Sequence, residues 1–210
     1  MLEYSEYMKM LIGLIAIVNP IGVIPIFISL TSELDASERR SVSNIATYSV
    51  LAILLLTLFL GEWILKFFGI TINSFHVAGG LLLLLMALSM MHAKTSGIKR
   101  TAEEAEESEG KDSIAIVPLA TPLLAGPGTI STVILYAHKG SGLMHYLIVG
   151  LIILAVSLLL FAVFRFVPFI SKYITQTGIN VFTRIMGLIL AAISIEFIAS
   201  GIKGLFPALM

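Results

Sequence analysis

The chain has no cysteine among its 210 residues, so it carries no disulfide framework, no thiolate metal site and no cysteine nucleophile. Charge is scarce as well: 12% of residues are charged, against roughly 25% in an ordinary soluble domain. Lysine and arginine number 13, as do aspartate and glutamate. That balance leaves no basic surface to neutralise a phosphate backbone, which excludes nucleic acid as a partner. The histidines His76, His92, His138 and His145 form no HExxH pair. GxSxG, Walker and GxGxxG motifs are also missing. No enzyme is expected, and no metal or cofactor.

What the chain has is apolar length, with 58% hydrophobic residues against roughly 45–50% in soluble domains. A helix rising about 1.5 Å per residue needs about 20 apolar residues to cross roughly 30 Å of hydrocarbon. Residues 8–30, 43–68, 70–91, 113–136, 146–170 and 180–206 meet that requirement. Unbroken apolar runs such as 81–86 exclude a β-barrel, whose strands alternate over about ten residues. The expectation is an all-α, polytopic membrane protein with six transmembrane helices, forming one transmembrane domain over 1–210 with the lipid bilayer as its solvent. Glu3 and Glu6 stand where a secretory signal carries basic residues, so the first segment is read as a retained span. Residues 61–69 are read as a tight turn. The long polar stretch 93–112, with Lys94, Lys99 and Arg100 followed by Glu103, Glu104, Glu106, Glu107, Glu109 and Asp112, is read as a solvated linker between two halves.

Six crossings put Lys9, Lys66, Lys139 and Lys203 on one side. The other side receives Arg39, Arg40, Lys94, Lys99, Arg100, Lys111, Lys172 and Arg184, with Arg165 close by inside the fifth span. Basic residues accumulate in cytoplasmic loops, so the linker is expected in the cytoplasm and both termini outside the cytoplasmic membrane.

The two halves repeat. Asn19-Pro20, four residues, then Pro25 matches Thr121-Pro122, four residues, then Pro127, at an offset of 102. Ile72-Asn73-Ser74-Phe75, four residues, Gly80-Leu81 matches Ile179-Asn180-Val181-Phe182, four residues, Gly187-Leu188, at an offset of 107. Three spans per half is an odd number, so the second half (113–210) must cross in the opposite sense to the first (1–92), as in the inverted repeats of secondary transporters. Proline inside a helix removes a donor and clashes with the carbonyl four residues back. The pairs are therefore expected to interrupt helices 1 and 4 near the bilayer midplane and to free the carbonyls of Ala16, Ile21, Pro118 and Leu123. Gly22, Gly126 and Gly128 supply the backbone freedom such a break needs. The candidate substrate-binding set is Asn19, Pro20, Gly22, Pro25, Thr121, Pro122, Gly126, Pro127, Gly128 and Thr129.

Glu196, within the sixth span, is the candidate for proton or sodium coupling, because a carboxylate at that depth is costly; a structural pairing with Ser200 or Lys203 explains it as well. Arg165 and Arg184 read as topology anchors, and His76 as a packing residue. Asn73 and Asn180 suit helix capping as readily as ligation.

The stretches Ile17-Val18-Asn19-Pro20-Ile21-Gly22-Val23-Ile24-Pro25 and Pro118-Leu119-Ala120-Thr121-Pro122-Leu123-Leu124-Ala125-Gly126-Pro127-Gly128-Thr129-Ile130 closely resemble the MarC family of integral membrane proteins, and the similarity runs over the whole chain. The resemblance implies a bacterial or archaeal cytoplasmic-membrane protein related to LysE-type exporters. It also implies a substrate class, small neutral amino acids such as glycine and alanine. The family name reflects a multiple-antibiotic-resistance locus. The expected function is thus transport of a small amino acid, with a channel or assembly protein lacking alternating access, or multidrug efflux, as alternatives.

Overall fold

The computed structural model describes residues 2–31, 34–92, 115, 119–120, 124–173 and 175–206. Among them there are helices and turns but no strands. In chain order the helices are α1 (Tyr4–Val18), α2 (Ile24–Leu30), α3 (Ala36–Phe67), α4 (Ile72–Met91), α5 (Pro127–Lys139), α6 (Leu143–Tyr173) and α7 (Gln176–Leu205). The linker 93–112 lies outside the described residues.

Caps set several of the starts. Asp35 accepts hydrogen bonds from the Ser37 and Glu38 amides at 2.7 and 2.8 Å, while the Glu38 side chain accepts from the Asp35 amide at 2.9 Å. This capping box starts α3 seven residues before the apolar run at Ser43. Thr71 caps α4 through the Ser74 amide, and Thr175 caps α7 through the Gly178 amide. Asn73 and Asn180 therefore sit inside their helices instead of capping them. The turn expected over 61–69 is also shorter than that. Gly61 lies within α3, where a Cβ would come 2.8 Å from Ile134 Cδ1 on α5. The chain turns only after Phe67, through Gly69 at φ 67°, a left-handed conformation that glycine adopts without penalty.

Among the described residues, four helices are long and apolar enough to cross a membrane: Ala36–Phe67, Ile72–Met91, Leu143–Val167 and Asn180–Leu205. They correspond to the expected second, third, fifth and sixth spans. The first and fourth are absent from that set for a physical reason: their continuous helical pieces, α1 and α5, reach only 15 and 13 residues. Only 22–39% of the apolar windows is buried, so most of this surface faces outward. Tyr4, Trp63, Phe67 and Phe68 are exposed at one end, as expected of aromatic residues at headgroup level.

The core runs between α3 and α6. Val42, Ala46, Val50, Leu54 and Leu58, spaced by four, form a buried ridge on α3 that joins Ile153, Val156 and Leu160 of α6 and Met10 and Leu14 of α1. The second close pairing is α4 with α7. A Cβ on Gly80 would lie 2.9 Å from the Ser194 carbonyl oxygen, and one on Gly187 would lie 3.0 Å from that of Ala87. These contacts are reciprocal: 80 and 187, like 87 and 194, are 107 apart. Leu83 and Leu190, another pair at that offset, are buried together in the same seam.

Ion pairs among the described residues gather around two carboxylates, Glu6 and Glu62. Glu6 pairs with Lys9 at 2.6 Å and Lys139 at 3.6 Å, and Glu62 with Lys66 at 3.7 Å and with His138. Arg39 and Arg40 sit at the opposite end of α3. From Arg40 to Glu62 the helix rises about 33 Å, close to a hydrocarbon thickness of roughly 30 Å.

Candidate functional site at the interrupted helices

Asn19-Pro20 ends α1 by a local mechanism. The ring of Pro20 disfavours right-handed helical geometry at the preceding residue. Asn19 leaves it at φ 46°, ψ 63°, the one non-glycine residue with positive φ among those described. Asparagine tolerates this region better than most residues. Its amide still closes the last turn onto the Ile15 carbonyl at 2.9 Å, and its carbonyl accepts from Val23 at 3.3 Å. The side-chain Oδ1 accepts from the Gly22 amide at 3.2 Å. Gly22 is required because a Cβ there would collide with the Asn19 side chain. Asn19 is 7% exposed, and its Nδ2 has no partner among the described residues.

The carbonyl of Ile21 is not left free as expected. It accepts from Ile24 at 3.2 Å, because Ile21 already lies in the turn and not in a helix that Pro25 would disrupt. Pro25 is the second residue of α2, a first-turn position that lacks nothing when its N–H is missing.

The second motif is broken at an equivalent place. Ala115, Leu119, Ala120 and Leu124 have π-helical geometry, and the Ala125 amide reaches the Ala120 carbonyl at 2.8 Å, five residues back. Gly126 is extended at φ −76°, ψ 176°, and α5 then starts with Pro127 as its first residue. Pro25 and Pro127, 102 apart, both stand in the first turn of the helix that follows a break. Thr121, Pro122, Pro118 and Leu123 lie outside the described residues.

The two motifs adjoin. A Cβ on Gly128 would meet Leu83 of α4, with Cγ at 2.9 Å, and Ile17 of α1, with Cγ2 at 3.6 Å. Gly128 thus lets three helices close on one point, instead of walling an open space. Thr129, 2% exposed, donates its hydroxyl to the Leu124 carbonyl at 2.9 Å across the second break. As Ile130 is the first residue of α5 whose amide reaches back, to the Gly126 carbonyl at 3.0 Å, the Gly128 and Thr129 amides are N-terminal donors of the helix with no partner among the described residues.

Glu196 is not part of this cluster; it is exposed on α7, as are Ser200 and Lys203. Arg184 is exposed near the start of α7. His76 is buried and packs edge-on against Phe197, with ring centroids 5.0 Å apart.

Three features have no counterpart in the sequence reading. His145, wholly buried, joins the Tyr7 hydroxyl (2.8 Å) to the Tyr136 carbonyl (2.9 Å), tying α1, α5 and α6 together. The buried hydroxyls of Ser43, Thr47 and Ser157 have no partner among the described residues; Ser43 and Thr47, four apart on an otherwise apolar face, are the available signal. A cavity of about 720 Å³ opens between α2, α3 and α6, lined by Arg39, Arg40, Ser43 and Arg165 among others.

Four continuous apolar helices around two adjoining helix interruptions define a polytopic integral membrane protein. The chain belongs, more particularly, to the MarC family of integral membrane proteins, whose profile matches residues 4–206. It is 44% identical to the UPF0056 membrane protein YhcE of Escherichia coli over 99% of this chain and 97% of that protein. It is 40% identical to YvbG of Bacillus subtilis over 98% of each. A UPF0056 membrane protein of Pyrococcus abyssi is 38% identical over 98% of this chain and 99% of its own length. No solved structure matches the chain.

Proposed function

We propose that this protein is a secondary transporter of small neutral amino acids, glycine, alanine or serine, working by alternating access across the cytoplasmic membrane. In this reading the chain crosses six times, α1 with α2 forming the first pass and residues 115–124 with α5 the fourth. The halves 1–92 and 113–210 are then inverted repeats, and the linker 93–112 is cytoplasmic with both termini outside. The observation that carries the reading is the pair of interruptions, at Asn19–Val23 and at Ala125–Gly126, each followed by a helix with a proline of the repeated motif in its first turn, and brought together through Ile17 and Gly128. Interrupted helices meeting at a repeat interface are where such transporters hold substrate. The reciprocal Gly80–Ser194 and Gly187–Ala87 contacts support a two-fold relation between the halves.

The chemistry suits a zwitterion. The Gly128 and Thr129 amides at the positive end of α5 attract a carboxylate. Asn19 Nδ2 adds a donor, and carbonyls around the breaks, with Thr121 and Pro122 of the second motif, offer acceptors to an ammonium. The small residues Gly22, Gly126 and Gly128 around the breaks favour a substrate with a small side chain, and Gly126→Leu is expected to abolish transport. Glu196, exposed on α7 and outside the cluster, is the candidate for coupling to a proton or sodium.

Counterflow in proteoliposomes tests the reading. Saturable glycine uptake, accelerated by unlabelled glycine inside, is the expected result. Non-saturating flux would indicate a channel, and movement of bulky apolar compounds without glycine would indicate drug efflux; either result refutes the proposal.

A further inference from the structure

We propose that the cavity enclosed by α2, α3 and α6 is a binding site for a phosphate-bearing anion, held by Arg40 and Arg165. Its volume of about 720 Å³ falls in the range of about 300–1,000 Å³ typical of ligand pockets. Three guanidinium groups, of Arg39, Arg40 and Arg165, line it, and among the described residues no carboxylate does. The nearby acids Asp35 and Glu38 are engaged in the capping box that starts α3. Arg39 has a structural task, its Nε donating to the Thr31 carbonyl at 2.9 Å and so fastening α2 to α3. Neither Arg40 nor Arg165 has an ion-pair partner among the described residues, although they reach the cavity from different helices. Ser43 on the same wall is 5% exposed, and its hydroxyl has no partner among the described residues.

Planar guanidinium forks match phosphate oxygens better than point charges do. Thr31 and Asn44 also line the cavity, and the remaining wall is apolar, with Phe27 stacked on Phe164 at 4.5 Å between centroids and Phe166 and Phe169 exposed beside it. Cations set among apolar helix ends at the membrane surface suit the headgroup of an anionic phospholipid, and the same cations suit free phosphate.

The test uses the full chain in a zwitterionic detergent, with binding followed by native mass spectrometry for lipid and by thermal shift for inorganic phosphate. Wild type is expected to retain phosphatidylglycerol in preference to phosphatidylcholine, or to be stabilised by inorganic phosphate. The Arg40→Gln/Arg165→Gln double variant is expected to bind at least about tenfold more weakly, since each hydrogen bond to a charged group contributes enough for such a change. Arg184→Gln, which removes an exposed cation elsewhere, is expected to bind like wild type. Preference for the lipid identifies the headgroup as the source, and stabilisation by phosphate alone identifies the free anion. Both variants should melt like wild type without ligand. Equal binding by wild type and the double variant, an equal loss in Arg184→Gln, or no binding of either probe by a wild-type protein that melts cooperatively would overturn the proposal.

Discussion

Replacing Asn19 separates the backbone's contribution to the first break from the side chain's. Asn19→Ala places a residue with an ordinary Cβ at φ 46°, which costs about 1–2 kcal/mol. It also removes the acceptor of the Gly22 amide, a loss of about 0.5–1.5 kcal/mol. Together these come to about 1.5–3.5 kcal/mol. Asn19→Gly loses the same hydrogen bond but adopts positive φ freely, so it should be destabilised by only about 1 kcal/mol. Unfolding of the purified protein by titration with sodium dodecyl sulfate measures both. Transport is expected to follow another order. If Nδ2 contacts substrate, alanine and glycine lose it equally, and each weakens half-saturation in counterflow by about 1–3 kcal/mol, or roughly 5- to 150-fold. Equal stability of the two variants would refute the left-handed constraint at residue 19. Wild-type affinity in both would remove Asn19 from the site.

Glycine-to-alanine exchanges should rank by the space each Cβ meets. Gly13→Ala has nothing within 4 Å and should stabilise by about 0.5–1 kcal/mol. Gly80→Ala would bring its Cβ to 2.7 Å from Ile198 Cγ1 and 2.9 Å from the Ser194 carbonyl oxygen and should destabilise by about 1–3 kcal/mol, with Gly187→Ala between them; detergent unfolding reads the order. Tyr7→Phe leaves His145 Nδ1 without its 2.8 Å partner and should destabilise by about 1–3 kcal/mol in the same assay. The hydrogen bond from Lys9, and then the charge of Lys139, hold the Glu6 carboxyl below its ordinary value. A depressed carboxyl contributes stability above its unfolded value and loses it as pH falls. Glu6→Gln should therefore be less stable by at most about 1 kcal/mol at neutral pH, and the difference should vanish as pH drops below about 4.3.

The proline pairs were legible because their effect is local: Pro20 decides the geometry of Asn19, and Pro127 decides where α5 begins, whatever surrounds them. Glycines were legible as positions but not as contacts. Gly80 and Gly187 stand out as a repeat, yet only the packed structure gives Ser194 and Ala87 as their opposite numbers, because that information lies in the crossing of two helices. Helix ends were misjudged where polar caps lie outside the apolar window, as with Asp35 and Glu38, whose three-residue spacing was the available signal. Arg39, Arg40 and Arg165 were read as topology markers, since nothing local shows that residues about 125 apart in sequence share one cavity.

The same contacts indicate which parts move. In lipid there is no hydrophobic drive between helices, so association depends on close backbone approach through small residues. The α4–α7 seam has that approach at Gly80, Gly187 and Gly201, in two continuous helices, and should behave as a rigid unit. At the breaks the helical hydrogen-bond ladders lapse, so relative motion is expected where α1 meets α5. Because the chain has no cysteine, paired cysteines can test this. A Cβ on Gly187 would lie 3.0 Å from Met90 Cβ, near the 3.5–4.5 Å a disulfide spans, so a Met90→Cys/Gly187→Cys bridge should form and leave counterflow intact. A short cross-link between Ile17→Cys and Gly128→Cys, made in a Leu83→Ala background that gives the new Cβ room, should lower counterflow below that of the same reduced variant. Inhibition by the first bridge with free transport through the second would place the moving boundary at the α4–α7 seam instead.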